Sequence, residues 1–176
     1  KNIIFSDGKK VSSADVIFSL SRHGWPGSKS IIQGYLSDLI LGYKDLKENQ
    51  TPKGIKQVSE DVFELTLIKP YSPFLYVLSM PGFSIVPKDE DARTRAVGSG
   101  PLKAEKLDGR WSFKINSKYV GNAPNMKNIV VTTFANALEA KQALAKYEVD
   151  VMLNLPYTRE NQSNLPVNFQ LSQRIA

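Results

Sequence analysis

Phe5-Ser6-Asp7-Gly8-Lys9-Lys10-Val11-Ser12-Ser13-Ala14-Asp15-Val16-Ile17-Phe18-Ser19 sets the reading of this chain. Ile3–Phe5 reads as a short strand, Asp7-Gly8 as a turn, and Ser12 as the cap of a helix. Asp15, three residues after Ser12, lies in the positive first turn, a variant of the capping box. Ala14, Val16, Ile17 and Leu20 recur at helical spacing, so one face packs inward. Pro26 and Gly27 stop the helix near His23-Gly24.

A weaker helical pattern follows over 28–41, through Ile31, Ile32, Tyr35, Leu36 and Leu39. Residues 42–53 form a polar loop ending in Thr51-Pro52. Gly54–Val58 and Val62–Ile68 read as strands joined by a Ser59-Glu60-Asp61 turn. Phe63, Leu65 and Leu67 form the buried face of the second. Pro73 opens a short helix through Phe74, Leu75, Val77 and Leu78, and Pro81-Gly82 closes it. The charged stretch 88–96 is a loop and the expected boundary between lobes.

Beyond it, Leu102–Leu107 and Arg110–Asn116 flank Asp108-Gly109, a hairpin signal with Trp111, Phe113 and Ile115 on the buried face. Ile129–Phe134 reads as a strand. Asn136 caps a helix burying Ala137, Ala140 and Leu144, and Val149–Leu153 returns as a strand to complete a βαβ unit.

Composition narrows the chemistry. The chain of 176 residues has no cysteine and a single histidine, and its net charge is +6. Disulfides and thiolate chemistry are excluded. One histidine cannot build a catalytic zinc site from imidazoles, and His23 at a helix end reads as a surface or capping residue. Asp89-Glu90-Asp91 lacks the alternation and glycine of a calcium loop. Gly98-Ser99-Gly100 lacks the Lys-Ser/Thr of a phosphate cradle. No catalytic residue, metal or cofactor is expected. The basic residues are scattered, with Lys9-Lys10 the only adjacent pair, so a nucleic-acid partner is not expected either. No apolar run approaches the ~20 residues of a membrane-spanning helix. Trp25, beside Gly24 and Pro26, is open between packing and ligand contact.

Several of these segments, in order, resemble the large solute-binding proteins of oligopeptide, dipeptide and nickel ABC importers (family 5). The opening stretch is similar to that family's Phe/Trp-x-Asp-Gly-x-Pro-apolar-Thr-Ala-x-Asp-Val-x-aromatic-Ser. Val62–Leu67, Pro70-Tyr71-Ser72-Pro73-Phe74-Leu75, Ile85-Val86-Pro87-Lys88, Val97–Leu102, Asn116–Gly121 and Glu148-Val149-Asp150 extend the resemblance over nearly the whole chain. Four positions depart from it. Lys10 replaces a proline, Leu102 an aromatic, Val120 a Trp or Phe, and Tyr147 the glycine before Glu-x-Asp. Without that glycine the helix end is expected to be built differently.

The resemblance implies an α/β, mixed-sheet, periplasmic-binding-protein-like fold, as a fragment of a two-lobed architecture. Residues 1–97 would be part of the small outer subdomain and 98–176 part of the first ligand-binding lobe, with the second lobe absent. It implies a non-catalytic, extracytoplasmic protein that closes two lobes around a peptide or other small solute and serves an ABC permease at the membrane. Residue-wise carry-over nominates Ile31, Met80 and Asn154 as ligand-facing. A rival with the same domain is the sensor of a cytoplasmic transcription regulator.

Overall fold

The computed structural model describes residues 2–88, 96–107 and 109–153. The chain divides into two compact units, Lys1–Val130 and Val131–Ala176. Helices alternate with two small sheets, an α/β arrangement.

In the first unit, α1 (Ser13–Ser21) starts as its sequence dictates. The Ser12 hydroxyl accepts from the Asp15 amide, and the Asp15 carboxylate accepts from the Ser12 amide at 2.8 Å. Leu20 is buried on the inner face, with Val16 and Ile17 packed beside it. A 3-10 turn, Arg22–Gly24, ends the helix.

The second helix is shorter than its pattern predicts: α2 is only Gln33–Ser37. Leu36, Leu39, Ile40 and Tyr43 nonetheless keep their three- and four-residue spacing and form the heart of the core with Leu20, Ile55, Phe74 and Phe83. Turns, rather than helix, carry that spacing beyond Ser37. The Tyr43 hydroxyl donates to the Leu20 carbonyl, fixing α1 to this segment.

β1 (Ile55–Gln57) and β2 (Phe63–Leu65) pair antiparallel, Ile55 opposite Leu65. Leu67 continues β2 only as a single bridge to Ile40. Phe63, Leu65 and Leu67 alternate with exposed neighbours as expected. α3 (Phe74–Leu78) has Pro73 as its N-cap, and a 3-10 turn, Pro81–Phe83, follows.

β3 (Leu102–Leu107) and β4 (Arg110–Ile115) form the hairpin that Asp108-Gly109 signals. Leu107 opposes Arg110, leaving two residues in the loop, and Gly109 takes the φ of +77° that such a loop requires. β5 (Asn128–Val131) completes a sheet of order β3-β4-β5. It is shorter than the strand expected over 129–134. The hairpin's apolar face is less buried than expected. Trp111 and Phe113 are half-buried and Ile115 is 40% exposed. Lys106 lies opposite Trp111 and holds its ammonium 5.9 Å from the ring centroid, so a cation rather than core covers part of the indole.

In the second unit, Asn136 caps α4 (Ala137–Ala145) by accepting from the Glu139 amide at 3.0 Å. Ala140, Ala143 and Leu144 are buried. The helix end corrects the expectation for Tyr147. Tyr147 itself takes the left-handed conformation, φ +58°, that ordinarily favours glycine. Its amide donates to Leu144 and that of Glu148 to Ala143, the paired bonds of a Schellman cap. The βαβ unit is not completed. Residues 149–153 form no strand, and Val151 and Leu153 are exposed. A strand exists only where a neighbour accepts its backbone bonds, and no ladder is made here.

Candidate functional site

Two of the three nominated positions lie on segments that the fold brings together. The chain leaves the Arg22–Gly24 turn, passes a Trp25–Ser28 turn and runs through Lys29, at φ +48°, to Ile32. His23 organises this path. Its carbonyl accepts from the Ser28 hydroxyl at 2.8 Å, and its Nδ1 lies 3.0 Å from the Ser30 hydroxyl. Ile32 packs on the core and against Gly82, where an added Cβ would stand 3.0 Å from two Ile32 carbons. Ile31, between these two anchored residues, is 95% exposed.

The second segment is Met80–Phe83. Met80 is half-buried against the core, and its amide donates to Val77. Phe83, fully buried, presents its ring edgewise to His23 with centroids 6.1 Å apart. Ile31 therefore stands on a lip made of 28–32 and 80–83, with His23 beneath. Asn154, the third nominated residue, lies outside the described residues.

His23 is not the surface residue that its sequence position suggests. It is half-buried, and its Nε2 is enclosed with no hydrogen-bond partner. Burial, with the nearby Arg22 charge, lowers its pKa to about 4, so the ring is neutral at pH 7. Two serines five and seven residues on were the available sequence signal for this clamp. Trp25 resolves toward packing. Its ring meets Phe18 edge-on at 5.7 Å, and its indole N–H donates to the Gln50 carbonyl at 2.7 Å. Among the described residues, no three His, Cys, Asp or Glu side chains converge to hold a metal.

A separate open groove of about 410 Å³ lies between the N-terminal segment and β2, lined by Ile3, Val11, Val16 and Phe63. Lys10 and Asp61 pair at its rim at 2.8 Å, neutralising each other.

The model of the bacterial extracellular solute-binding proteins, family 5 Middle, matches residues 1–173. The chain belongs to this family. Its relatives include the probable D,D-dipeptide-binding periplasmic protein DdpA of Escherichia coli (strain K12). It is 30% identical over 173 residues, which cover 91% of this chain and 31% of that protein. The periplasmic oligopeptide-binding protein OppA of Salmonella typhimurium is 28% identical over 148 residues, covering 74% of this chain and 26% of that protein. Among solved structures, the PBP AgaA from A. tumefacien R10, in complex with agropinic acid, superposes with a TM-score of 0.69. The identity is 23%, covering 85% of this chain and 30% of that one. The chain thus spans about a third or less of the proteins it matches, and its fold is part of theirs. Lys10, where the family pattern carries proline, serves here as the ion-pair partner of Asp61 and Glu60.

Proposed function

We propose that this chain is the part of an extracytoplasmic solute-binding protein that forms one wall of a ligand site. The whole protein captures a peptide, or another small solute such as a nickel complex, by closing two lobes, and hands it to an ABC permease without catalysis. Residues 1–97 then belong to the small outer subdomain and 98–176 to the first lobe. The family match over residues 1–173 carries this reading.

The lip built from 28–32 and 80–83 supports Ile31 and Met80 as ligand-facing. An isoleucine held at 95% exposure between two anchored neighbours adds nothing to the core, and contact with a bound solute would bury it. Asn154 would supply a hydrogen bond to a ligand backbone. Among the described residues, no helix is long and apolar enough to cross a membrane. No observation favours the transcription-regulator reading.

Calorimetry of the full gene product and of this chain against di- to pentapeptides tests the proposal. Micromolar binding by the full protein is expected, with binding at least about a hundredfold weaker for the chain alone. That loss corresponds to about 2.8 kcal/mol, the scale of one charge-assisted bond plus the apolar area left uncovered. Equal affinity for both would refute the one-wall reading, and no peptide binding by either would refute the ligand class.

A further inference from the structure

We propose that His23 is a positioning residue for this lip: its neutral imidazole holds Ser30 on one side and Phe83 on the other, and protonation releases the Ile31 segment and weakens solute capture. The inference rests on the reading of the lip as ligand-facing.

Three observations converge on the ring. First, it is the fixed end of the 28–32 path, through Nδ1 to the Ser30 hydroxyl and through its carbonyl to the Ser28 hydroxyl. Second, it packs at an interplanar angle of 84° on Phe83, which immediately follows Gly82, the contact of Ile32. One side chain therefore touches both strips of the lip. Third, Nε2 is enclosed with nothing to accept a proton from it.

A second proton would create a buried cation with an unpaired donor, which is costly. The charged groups on the elements around it are Arg22 on its own turn and Lys29 on the loop. The Pro81–Phe83 turn has none. Both neighbours are cations, so the surroundings supply no carboxylate to offset the new charge. A protonated ring is relieved only by swinging to water, and it takes its bond to Ser30 with it. The Ile32 contact with Gly82 and the Ser28 bond to the His23 carbonyl then hold the lip without Ser30's anchor. A ring that titrates near 6.5 when free and near 4 when docked opens more often as pH falls through that window. Between pH 7 and pH 5 the linkage amounts to roughly a 10- to 20-fold rise in opening.

Hydrogen exchange on the 176-residue chain, corrected for intrinsic rates, reads the clamp without any ligand. The Ser30 and Phe83 amides should lose protection by roughly tenfold between pH 7 and pH 5, while the Ile40 amide, bonded to Leu36 at 2.8 Å, does not. His23→Asn keeps a polar atom near the place of Nδ1 but cannot ionise, so its profile should be flat. His23→Ala should be loose at both pH values. If that variant does not fold, Ser30→Ala removes the same bond from the loop side and should loosen the lip at pH 7. A pH response surviving in His23→Asn, or full protection in the alanine variants, overturns the proposal. In the full gene product, trialanine binding should weaken by up to roughly tenfold from pH 7 to pH 5 and stay level in His23→Asn. Loosening of the lip without trialanine binding at either pH would sink the peptide reading and leave the clamp standing. Undiminished binding at pH 5 would sink the coupling to capture.

Discussion

The hydroxyl of Ser19 donates to the carbonyl of Val86 at 3.2 Å and accepts from the amide of the same residue at 2.9 Å. Ser19 is only 1% exposed, and Val86 is half-buried. Ser19→Ala would leave a donor and an acceptor unpaired at once. The expected loss is about 2–3 kcal/mol. Urea unfolding should show a lower midpoint at unchanged slope, and a change below about 0.5 kcal/mol would mean that water replaces the hydroxyl.

Tyr147 should be improvable. A side chain in the left-handed region costs about 1–2 kcal/mol, against the smaller entropic cost of glycine. Since Tyr147 is 84% exposed, little packing opposes the change. Tyr147→Gly is expected to stabilise the second unit by about 1 kcal/mol, read as slower exchange of the Glu148 amide. A destabilised Tyr147→Gly would show that the phenol makes a contact worth more than the backbone strain.

Two glycines should respond to alanine in opposite directions. A Cβ at Gly54 would meet the Thr66 carbonyl at 2.6 Å and the Leu41 amide at 2.9 Å, which bond to each other, while Gly54 itself donates to the Leu41 carbonyl and accepts from the Thr66 amide. Gly54→Ala is expected to cost about 3 kcal/mol, since neither neighbour can give way without breaking those bonds. Gly34 sits in α2 with nothing within 4 Å, and Gly34→Ala should gain about 0.5–1 kcal/mol. Thermal melts of the pair settle the matter, and equal shifts would contradict it.

Acid should weaken the fold in two steps. His23 binds its proton more weakly when folded, about 4 against 6.5, so its stabilisation is full above 6.5 and is lost as pH falls toward 4. The bare shift corresponds to about 3.4 kcal/mol, and solvent reaching the half-buried ring reduces that to about 1–2 kcal/mol. Burial pushes Asp15 up, but bonds from the Ser12 hydroxyl and the Lys88 and Ser12 amides, with the Lys88 charge, outweigh it and hold its carboxyl below the usual value. Its contribution therefore survives to lower pH and goes only below about 3.8. Urea midpoints at pH 7, 5 and 3 should fall successively, and His23→Asn should abolish the first drop alone.

What the sequence makes legible is local. The Ser12–Asp15 box, the Asn136 cap and the Asp108-Gly109 loop are each decided within four residues, and each forms. Elements that depend on distant partners were not legible. Val149–Leu153 has strand composition, but composition does not provide the neighbouring edge. Ile115 alternates correctly with Trp111 and Phe113, yet nothing in that alternation says how far a covering layer extends. The helical pattern over 28–41 keeps its spacing and loses its helix, because Lys29 turns left-handed and only Gln33–Ser37 closes regular bonds. At the candidate site, Ile31 and Met80 came from family resemblance alone. The histidine beneath them was missed because its nearby serines are a weak signal by themselves and Phe83 stands 60 residues away, where neither spacing nor motif connects it.

The bonds from Ser19 to Val86 and from Asp15 to Lys88 close loops of 67 and 73 residues. A chain that emerges N-terminus first, from a ribosome or through a membrane pore, presents α1 long before its partners at 86–88 exist. Until then the Asp15 carboxylate and Ser19 hydroxyl can only bond locally or to water, and the inner face of α1 lacks Phe83 to pack on. Such long closures slow folding more than they weaken the folded state. α1 is thus locked only after residues 86–88 have emerged, so a chaperone or translocase meeting the growing chain before then would find it still unsealed.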